Sequence, residues 1–167
     1  MSKKRLIKSV PALMLALSCM ALAGCKPKYQ SAAENRFRDA AEKGNAHAQL
    51  NLSACYFTGR GVEKDPKLGM YWLRKSAALG YVHAQCYLAD CYANGMYVEK
   101  DPKLAVYWYR KAAEQDYWPA QYELGRYYAE GNGVEKDIKQ AMYWYRRAVA
   151  WKYEPAIKAL KELGESY

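Results

Sequence analysis

Residues 44–79 read GNAHAQLNLSACYFTGRGVEKDPKLGMYWLRKSAAL, and this stretch decides the fold. Related sequences follow at residues 80–115 and 116–151, so the chain repeats with a constant period of 36 residues. Residues 152–167 begin a fourth copy, and residues 31–43 match the second half of a copy that precedes the first. A fixed period of this length indicates an array of stacked units, each of them a pair of helices.

Each copy contains two helical segments. In the first copy Ala48, Leu52 and Tyr56 step by four residues, so they share one face of a first helix. Pro66 follows a loop of glycines and charges, and proline begins a helix more readily than it continues one. We therefore predict a second helix from about residue 66 to 79, with Asp65 as its N-cap. One face of this helix carries Gly69, Trp72, Leu73 and Ser76. The tryptophans of the second helices, which recur in every copy, are predicted to lie in the core; they are Trp72, Trp108 and Trp144.

The repeated residues resemble the Sel1-like repeat, a relative of the tetratricopeptide repeat. The resemblance rests on the spacing of alanine, leucine, tyrosine, glycine and tryptophan, and on glutamines at the family's position; these are Gln49, Gln85 and Gln121. It implies an all-α fold, a right-handed α-solenoid of antiparallel helix pairs that binds other proteins and needs no cofactor. One departure is Tyr97, where the other copies have Gly61 and Gly133. If that position needs a positive φ, which favours glycine, the second loop is expected to be reshaped.

Comparison of the copies indicates where a partner would bind. Positions that recur build the scaffold, whereas positions that differ are free to acquire specificity. The differing positions of the first helices share one face, predicted to line the concave side; they are Asn51, Ala54, Thr58, Tyr87, Asp90, Asn94, Glu123, Arg126 and Glu130. The alternative is an ordinary solvated face whose residues vary because nothing constrains them.

The second helices carry a ridge of aromatic and basic residues that recurs in each copy. It consists of Tyr71, Tyr107 and Tyr143 with the basic residues that follow them, which are Arg74, Lys75, Arg110, Lys111, Arg146 and Arg147. One interpretation is a surface for an acidic partner or for anionic lipid headgroups. The simpler interpretation is packing, in which basic side chains cover the tyrosine rings with a modest cation–π attraction. Packing alone would account for a feature that recurs.

The sequence offers little support for catalysis or for a metal site. His47 and His83 occupy equivalent places at the starts of first helices, but no further residues complete a four-ligand set. The chain has no serine nucleophile elbow, glycine-rich phosphate loop or HExxH motif. A cysteine-rich branch of the Sel1-like family is linked to β-lactam binding, yet its paired cysteines are not matched here. An enzyme that acts on β-lactams is therefore the third interpretation of function.

The first 24 residues are predicted to be a cleaved leader. Four basic residues precede the apolar run from Val10 to Ala23, which is too short to span a bilayer. The run ends in Leu22-Ala23-Gly24-Cys25, which resembles the lipobox of bacterial lipoproteins and implies lipidation of Cys25. By the sorting rule of enterobacterial lipoproteins, Lys26 implies the outer membrane of a Gram-negative bacterium. Residues 25–30 would form a short tether facing the periplasm.

Composition narrows the class of partner. The formal net charge is +9, but without the four basic residues of the leader 22 basic residues face 17 acidic ones. Because this weak excess is spread along the chain, it argues against a nucleic-acid partner. The resemblance to Sel1-like lipoproteins implies a non-enzymatic, membrane-anchored immunity protein that neutralises a secreted toxin acting in the periplasm, phospholipases among them. The alternative is an adaptor or scaffold lipoprotein of the cell envelope.

Overall fold

The computed structural model describes residues 32–164, and the predicted leader, Cys25 and the tether lie outside them. The described residues form helices and no strand: α1 (Ala32–Glu42), α2 (Ala46–Thr58), α3 (Pro66–Ala78), α4 (Val82–Asn94), α5 (Pro102–Ala113), α6 (Trp118–Glu130), α7 (Ile138–Val149) and α8 (Glu154–Glu162). Within this part of the chain no helix is both long enough and apolar enough to cross a bilayer.

The helices pack in chain order and build the predicted all-α solenoid. Three hairpins, α2 with α3, α4 with α5 and α6 with α7, stack through contacts between the second helix of one and the first helix of the next. At the ends, α1 packs on α2 and α8 packs on α7. Helices α2, α4, α6 and α8 are therefore the first helices of the repeats, and α3, α5 and α7 are the second helices.

Local chemistry sets where the helices begin and end. The carboxylate of Asp65 accepts hydrogen bonds from the backbone N–H groups of Lys67 and Leu68 at 2.9 and 3.1 Å, and thus caps α3. Asp101 caps α5 in the same way, and Asp137 caps α7 by accepting a hydrogen bond from the backbone N–H of Gln140. Left-handed glycines, which can adopt a positive φ without strain, terminate the first helices; they are Gly59, Gly95 and Gly131.

The core follows the predicted faces of both sets of helices, and in each second helix the residue after the tryptophan is buried more deeply than the tryptophan itself. The repeated leucines of the first helices are fully buried; they are Leu52, Leu88, Leu124 and Leu160. In α5, however, Tyr109 is 2% exposed, whereas Trp108 is only partly buried against the core. The prediction of a core position is thus wrong for Trp72 and Trp108, which are half-buried and pack against the core clusters. Trp144, at 7% exposed, is buried as predicted.

A buried glutamine ties each repeat to the one before it. The side-chain amide of Gln121 in α6 donates to the backbone carbonyl of Ala113 near the end of α5, at 3.2 Å. The same bond is made by Gln49 to Ala41 and by Gln85 to Ala77. Carbonyls in the last turn of a helix have no backbone N–H four residues further along the same helix to accept from. The buried glutamine amide therefore supplies a hydrogen-bond donor to one of these carbonyls. The bond gives a physical reason for a glutamine that recurs in each copy.

Core side chains differ in size between repeats, and small residues compensate for large ones. Phe57 in α2 stands where the other repeats have alanine, and it faces Gly69 in α3. A Cβ atom on Gly69 would lie 2.6 Å from the Phe57 ring. The absence of a side chain at Gly69 therefore leaves room for the Phe57 ring. As a result, the first helix of the first repeat carries a large aromatic residue where the other repeats have a small one.

Candidate functional site

The nine predicted binding positions lie on adjacent first helices, and we call them the first-helix face. None of them is buried in the core: five are half-buried and the other four are exposed. The half-buried members are Asn51, Tyr87, Asp90, Glu123 and Arg126. The structure thus brings together residues from three repeats that the sequence separates by 36 positions each.

An aromatic cluster connects the first and second repeats at this face. Tyr87 in α4 makes an edge-to-face contact with Phe57 in α2, at 5.9 Å between ring centroids. Tyr97, in the loop after α4, stacks on the same Phe57 ring at 4.3 Å with an interplanar angle of 11°. Phe57 is 3% exposed, but Tyr97 is 46% exposed. The cluster therefore presents aromatic surface to solvent beside Tyr87.

The conformation of Tyr97 corrects a prediction from the sequence. Its φ is +62°, close to the +78° and +69° of Gly61 and Gly133 at the equivalent positions. The loop is thus not reshaped, and tyrosine adopts the left-handed conformation that glycine adopts elsewhere. For a bulky residue this costs about 1–2 kcal/mol, and the stacking on Phe57 offsets part of that cost. Two signals could have revealed the cluster: tyrosine at a glycine position and Phe57 at an alanine position.

Asp90, at the middle of the face, is held by a residue that the sequence analysis did not connect with it. The hydroxyl of Tyr109 in α5 donates to the Asp90 carboxylate at 2.6 Å. Burial raises the pKa of Asp90, the hydrogen bond from Tyr109 opposes that shift, and nearby Glu123 adds to it. The same burial, with the bond to Asp90, raises the pKa of Tyr109. The two groups therefore form a fixed polar pair in which the carboxylate keeps part of its surface in solvent.

In the third repeat the face is an ion-pair network along α6. The guanidinium of Arg126 donates to Glu123 at 2.8 Å and to Glu130 at 3.0 Å. Partial burial lowers the pKa of Arg126, but the hydrogen bonds and charges of the two glutamates outweigh it and raise the pKa. The network holds all three side chains in place before any partner arrives. With Asp90, the face carries three carboxylates and one guanidinium.

The first repeat contributes less to the face. The Asn51 side chain lies 3.3 Å from the His47 ring nitrogen, and Thr58 donates to the Ala54 carbonyl of its own helix at 2.8 Å. Asn94 in the second repeat likewise donates to the Asp90 carbonyl at 3.0 Å. These polar groups are turned toward their own helices, so the second and third repeats supply the charged and aromatic part of the face.

On the second helices the predicted ridge shows the packing contacts expected of it. Lys75 lies 4.8 Å from the centroid of the Tyr71 ring, and Lys111 lies 5.8 Å from that of Tyr107. The arginines of the ridge also join repeats: Arg74 donates to the Tyr92 hydroxyl at 3.3 Å, and Arg110 donates to that of Tyr128. These arginines therefore have a structural role, which makes them poor candidates for specificity.

The histidines and cysteines form no reactive centre in the described residues. The ring of Tyr81 contacts both His47 and His83, at 5.8 and 5.4 Å, and so lies between the two. Within residues 32–164 no three potential ligands cluster around a metal position. Cys55, Cys86 and Cys91 are buried thiols. Burial raises the pKa of Cys86 to about 12 and that of Cys91 to about 11, so both stay protonated at neutral pH.

A family model for the Sel1 repeat matches residues 46–81, 82–117 and 118–150. Among solved structures, a Sel1 repeat protein from Oxalobacter formigenes is 40% identical over 76% of this chain and 96% of its own, with a TM-score of 0.73. A protective antigen with an SLR fold, present in uropathogenic Escherichia coli strains, is 38% identical with a TM-score of 0.71. The match covers 74% of this chain but 26% of the antigen.

Cysteine-rich protein B of Helicobacter pylori is 26% identical over 81% of this chain and 98% of its own, with a TM-score of 0.60. No functionally curated protein matches the chain significantly. The comparisons thus agree with the fold, and they leave the partner to be argued from the residues.

Proposed function

Because the chain belongs to the Sel1 repeat family, we propose that it is a non-enzymatic module that binds a protein partner through the first-helix face. The centre of the site is formed by Tyr87, Asp90, Glu123 and Arg126, with Tyr97 and Phe57 as its aromatic border. Sel1 repeats are protein-interaction repeats, and each of the three positions that every first helix contributes to that face differs between the copies of this chain.

The observation that carries this proposal is the placement of Tyr97. A strained backbone persists only where the surroundings hold it, and such residues cluster at functional sites. Here the strained residue presents a half-exposed ring beside Tyr87, and the carboxylates of Asp90 and Glu123 lie further along the face. Tyrosine is among the residue types that carry most binding energy at interfaces. The partner would therefore offer an apolar or aromatic side chain to the cluster and basic groups to the carboxylates.

The finer proposal is that the partner is a secreted antibacterial effector acting in the periplasm, which this protein neutralises as an immunity-type protein. Its support is the leader that resembles a lipoprotein signal, which would place the chain at the membrane. The face is also ordered before binding, because Glu123, Arg126 and Glu130 already hold one another. A preformed face loses less entropy on binding and suits a tight inhibitor. A phospholipase is the kind of effector that such an anchored protein would meet.

Photocrosslinking in cells tests the position of the site. A benzophenone amino acid would replace Tyr97 in one strain and Tyr107 in another. These tyrosines are 46% and 51% exposed, the first in the loop after α4 and the second on the second helix α5. We expect a specific crosslinked protein from position 97 and none from position 107. Crosslinking from position 107 alone would show that the partner binds the second helices.

A protection assay tests the finer proposal. The partner captured at position 97 is identified by mass spectrometry and expressed in the periplasm of cells that lack this chain. If it is an effector, the cells should stop growing, and co-expression of this chain should restore growth. A captured envelope component that is harmless to the cells would instead favour the adaptor function.

A further inference from the structure

The second helices carry an unusual arrangement of charge. In α3, α5 and α7 there are nine lysines and arginines and no aspartate or glutamate. Within each helix the basic residues and one tyrosine follow the spacing i, i+4, i+7 and i+8, so they share one face. We call these twelve residues the basic band; they are Lys67, Tyr71, Arg74, Lys75, Lys103, Tyr107, Arg110, Lys111, Lys139, Tyr143, Arg146 and Arg147.

The basic band spans three neighbouring helices and is open to solvent. Arg74 of α3 and Leu104 of α5 line one shallow groove, and Arg110 of α5 and Ile138 of α7 line the next. Carboxylates of the loops before α5 and α7 line the same grooves; they are Glu99, Asp101, Glu135 and Asp137. Eleven of the twelve residues are exposed, and the twelfth, Arg147, is half-buried. The tyrosine rings keep 47–51% of their surface in solvent. The contacts with basic side chains therefore cover only about half of each ring.

Packing accounts for part of the basic band and leaves one set of residues unexplained. Arg74 and Arg110 join adjacent repeats through tyrosine hydroxyls, and the basic residue four positions after each tyrosine lies against its ring. Lysines also recur at the first turn of each second helix; they are Lys67, Lys103 and Lys139. Among the described residues these lysines form no ion pair and cover no aromatic ring. Near a helix N-terminus a positive charge is unfavourable, so they do not serve helix stability.

The two sets of helices differ in charge. The first helices α2, α4 and α6 hold three carboxylates and one arginine, whereas the charged residues within the second helices are all basic, and the carboxylates nearest to them lie in the preceding loops. Such a difference directs the basic band toward any extended anionic surface and the first-helix face away from it. At physiological salt the attraction acts over about 8 Å, so the charges must come close to that surface to be effective.

We propose that the basic band lies on the surface of an anionic phospholipid bilayer. The band presents nearly the same residues in each repeat. A protein partner usually makes different contacts at different points of its binding site, and the band does not provide such differences. A bilayer needs none, because its anionic headgroups are mobile and repeat in the plane. Half-exposed tyrosines add amphipathic rings, whose apolar body and polar tip suit the boundary between lipid and water. In this orientation the first-helix face points away from the lipid and stays accessible.

Vesicle binding tests the proposal without any partner and without the predicted lipid anchor. Residues 26–167 contain all the described helices and buried clusters, so this segment carries the whole array. It is sedimented with vesicles of phosphatidylethanolamine and about 30% phosphatidylglycerol, or of phosphatidylcholine alone, at about 0.05 and 0.3 M salt. We expect binding to the anionic vesicles at low salt, weaker binding at high salt and none to the neutral vesicles. Equal binding to both kinds of vesicle would overturn the proposal.

A pair of lysine variants tests the face. The variant Lys67→Gln with Lys103→Gln removes two charges of the basic band that form no ion pair among the described residues. The matched control, Lys158→Gln with Lys161→Gln, removes two exposed lysines of α8, which belongs to the layer of first helices. Each charge near an anionic bilayer strengthens binding roughly fivefold. The first variant should therefore bind roughly 25-fold more weakly than the unmodified segment, and the control within about twofold of it.

Two results would overturn the assignment. If both lysine variants lose affinity equally, the attraction comes from net charge and not from the basic band. If the segment binds soluble polyglutamate but not the anionic vesicles, the band serves an acidic protein instead. Circular dichroism of each variant, with helix content equal to that of the unmodified segment, shows that a lost interaction is not lost folding.

Discussion

The ring of Tyr97 lies flat on the ring of Phe57, with centroids 4.3 Å apart, although the two residues belong to different repeats. Phe57 replaces an alanine of the other repeats, and Tyr97 replaces a glycine. The contact therefore joins two residues that differ from the repeat pattern. The large ring at each position accounts for the large ring at the other, because the two rings stack. It covers Phe57, which would otherwise expose a large apolar ring, and it fixes Tyr97 at the edge of the first-helix face.

Substitutions at Tyr97 should separate backbone strain from stacking. Both Tyr97→Ala and Tyr97→Gly lose the ring, but only glycine adopts the left-handed conformation without strain. We expect Tyr97→Ala to be less stable than Tyr97→Gly by about 1 kcal/mol, as measured by urea unfolding. Equal stability of the two variants would mean that the loop relaxes and that little strain is present at this position.

The contact between Phe57 and Gly69 predicts that Gly69→Ala destabilises the unmodified chain but stabilises a variant that lacks the Phe57 ring. In the unmodified chain Gly69→Ala places a methyl group 2.6 Å from the Phe57 ring and should destabilise the fold by about 1–3 kcal/mol. In a Phe57→Ala background the same change fills the space left by the ring and removes a helical glycine, so it should stabilise by about 0.5–1 kcal/mol.

The double variant, Phe57→Ala with Gly69→Ala, would carry the same pair of alanines that the other two repeats have at these positions. Thermal unfolding of the four proteins in the cycle measures the effect. If Gly69→Ala destabilises both backgrounds alike, the steric account of this glycine is wrong.

Asp90 should make stability depend on pH in a defined direction. Its pKa is raised mainly by burial, so the folded chain binds the proton more tightly than the unfolded chain does. Ionised Asp90 therefore costs stability at neutral pH, and the cost disappears as the pH falls through its raised pKa. Asp90→Asn keeps an acceptor for Tyr109 and has no charge, so we expect it to be at least as stable as the unmodified chain at pH 7.

The difference in melting temperature between these two proteins isolates Asp90, because all other titrating groups are shared. That difference should shrink as the pH is lowered toward 4. A variant that gains stability relative to the unmodified chain on acidification would mean that the pKa of Asp90 is lowered in the fold.

The hydrogen bonds between repeats predict unequal effects of the same chemical change at two tyrosines. Tyr128→Phe removes the acceptor of Arg110, and Tyr107→Phe removes a hydroxyl to which the structure assigns no hydrogen bond. We expect Tyr128→Phe to lower the free energy of unfolding by about 0.5–1 kcal/mol, which is about the net contribution of one hydrogen bond. Tyr107→Phe should lower it by less than about 0.3 kcal/mol, because no hydrogen bond is lost. Chemical denaturation of both variants checks the ranking, and a larger loss for Tyr107→Phe would contradict it.

Processing of the leader is predicted from sequence alone, since Cys25 lies outside the described residues. Cys25→Ser should leave an unprocessed precursor, because the predicted cleavage requires a lipidated thiol. Cys19→Ser, within the apolar run, provides the control and should be processed normally. Membrane-bound protein of normal mature mass from the Cys25→Ser strain would exclude the lipoprotein prediction.

The sequence by itself determined the repeat, the helices and their ends. These features depend on local chemistry: an aspartate before a helix accepts backbone hydrogen bonds, a glycine after it adopts a left-handed conformation, and apolar residues every four positions, such as Ala48, Leu52 and Tyr56, mark a buried face. Comparison of the copies also placed the differing positions on one face. Each of these inferences needs only neighbours within about one repeat.

The tertiary structure decided what depends on the angle and distance between repeats. The burial of Trp108 relative to that of Tyr109 depends on how α5 packs on its neighbours, which a periodicity of 3.6 residues does not resolve for adjacent positions. The bond from Tyr109 to Asp90 and the stacking of Tyr97 on Phe57 join residues that are 19 and 40 positions apart. The first contact joins the two helices of one hairpin and the second joins adjacent repeats, so both depend on side-chain size and on how the helices pack together.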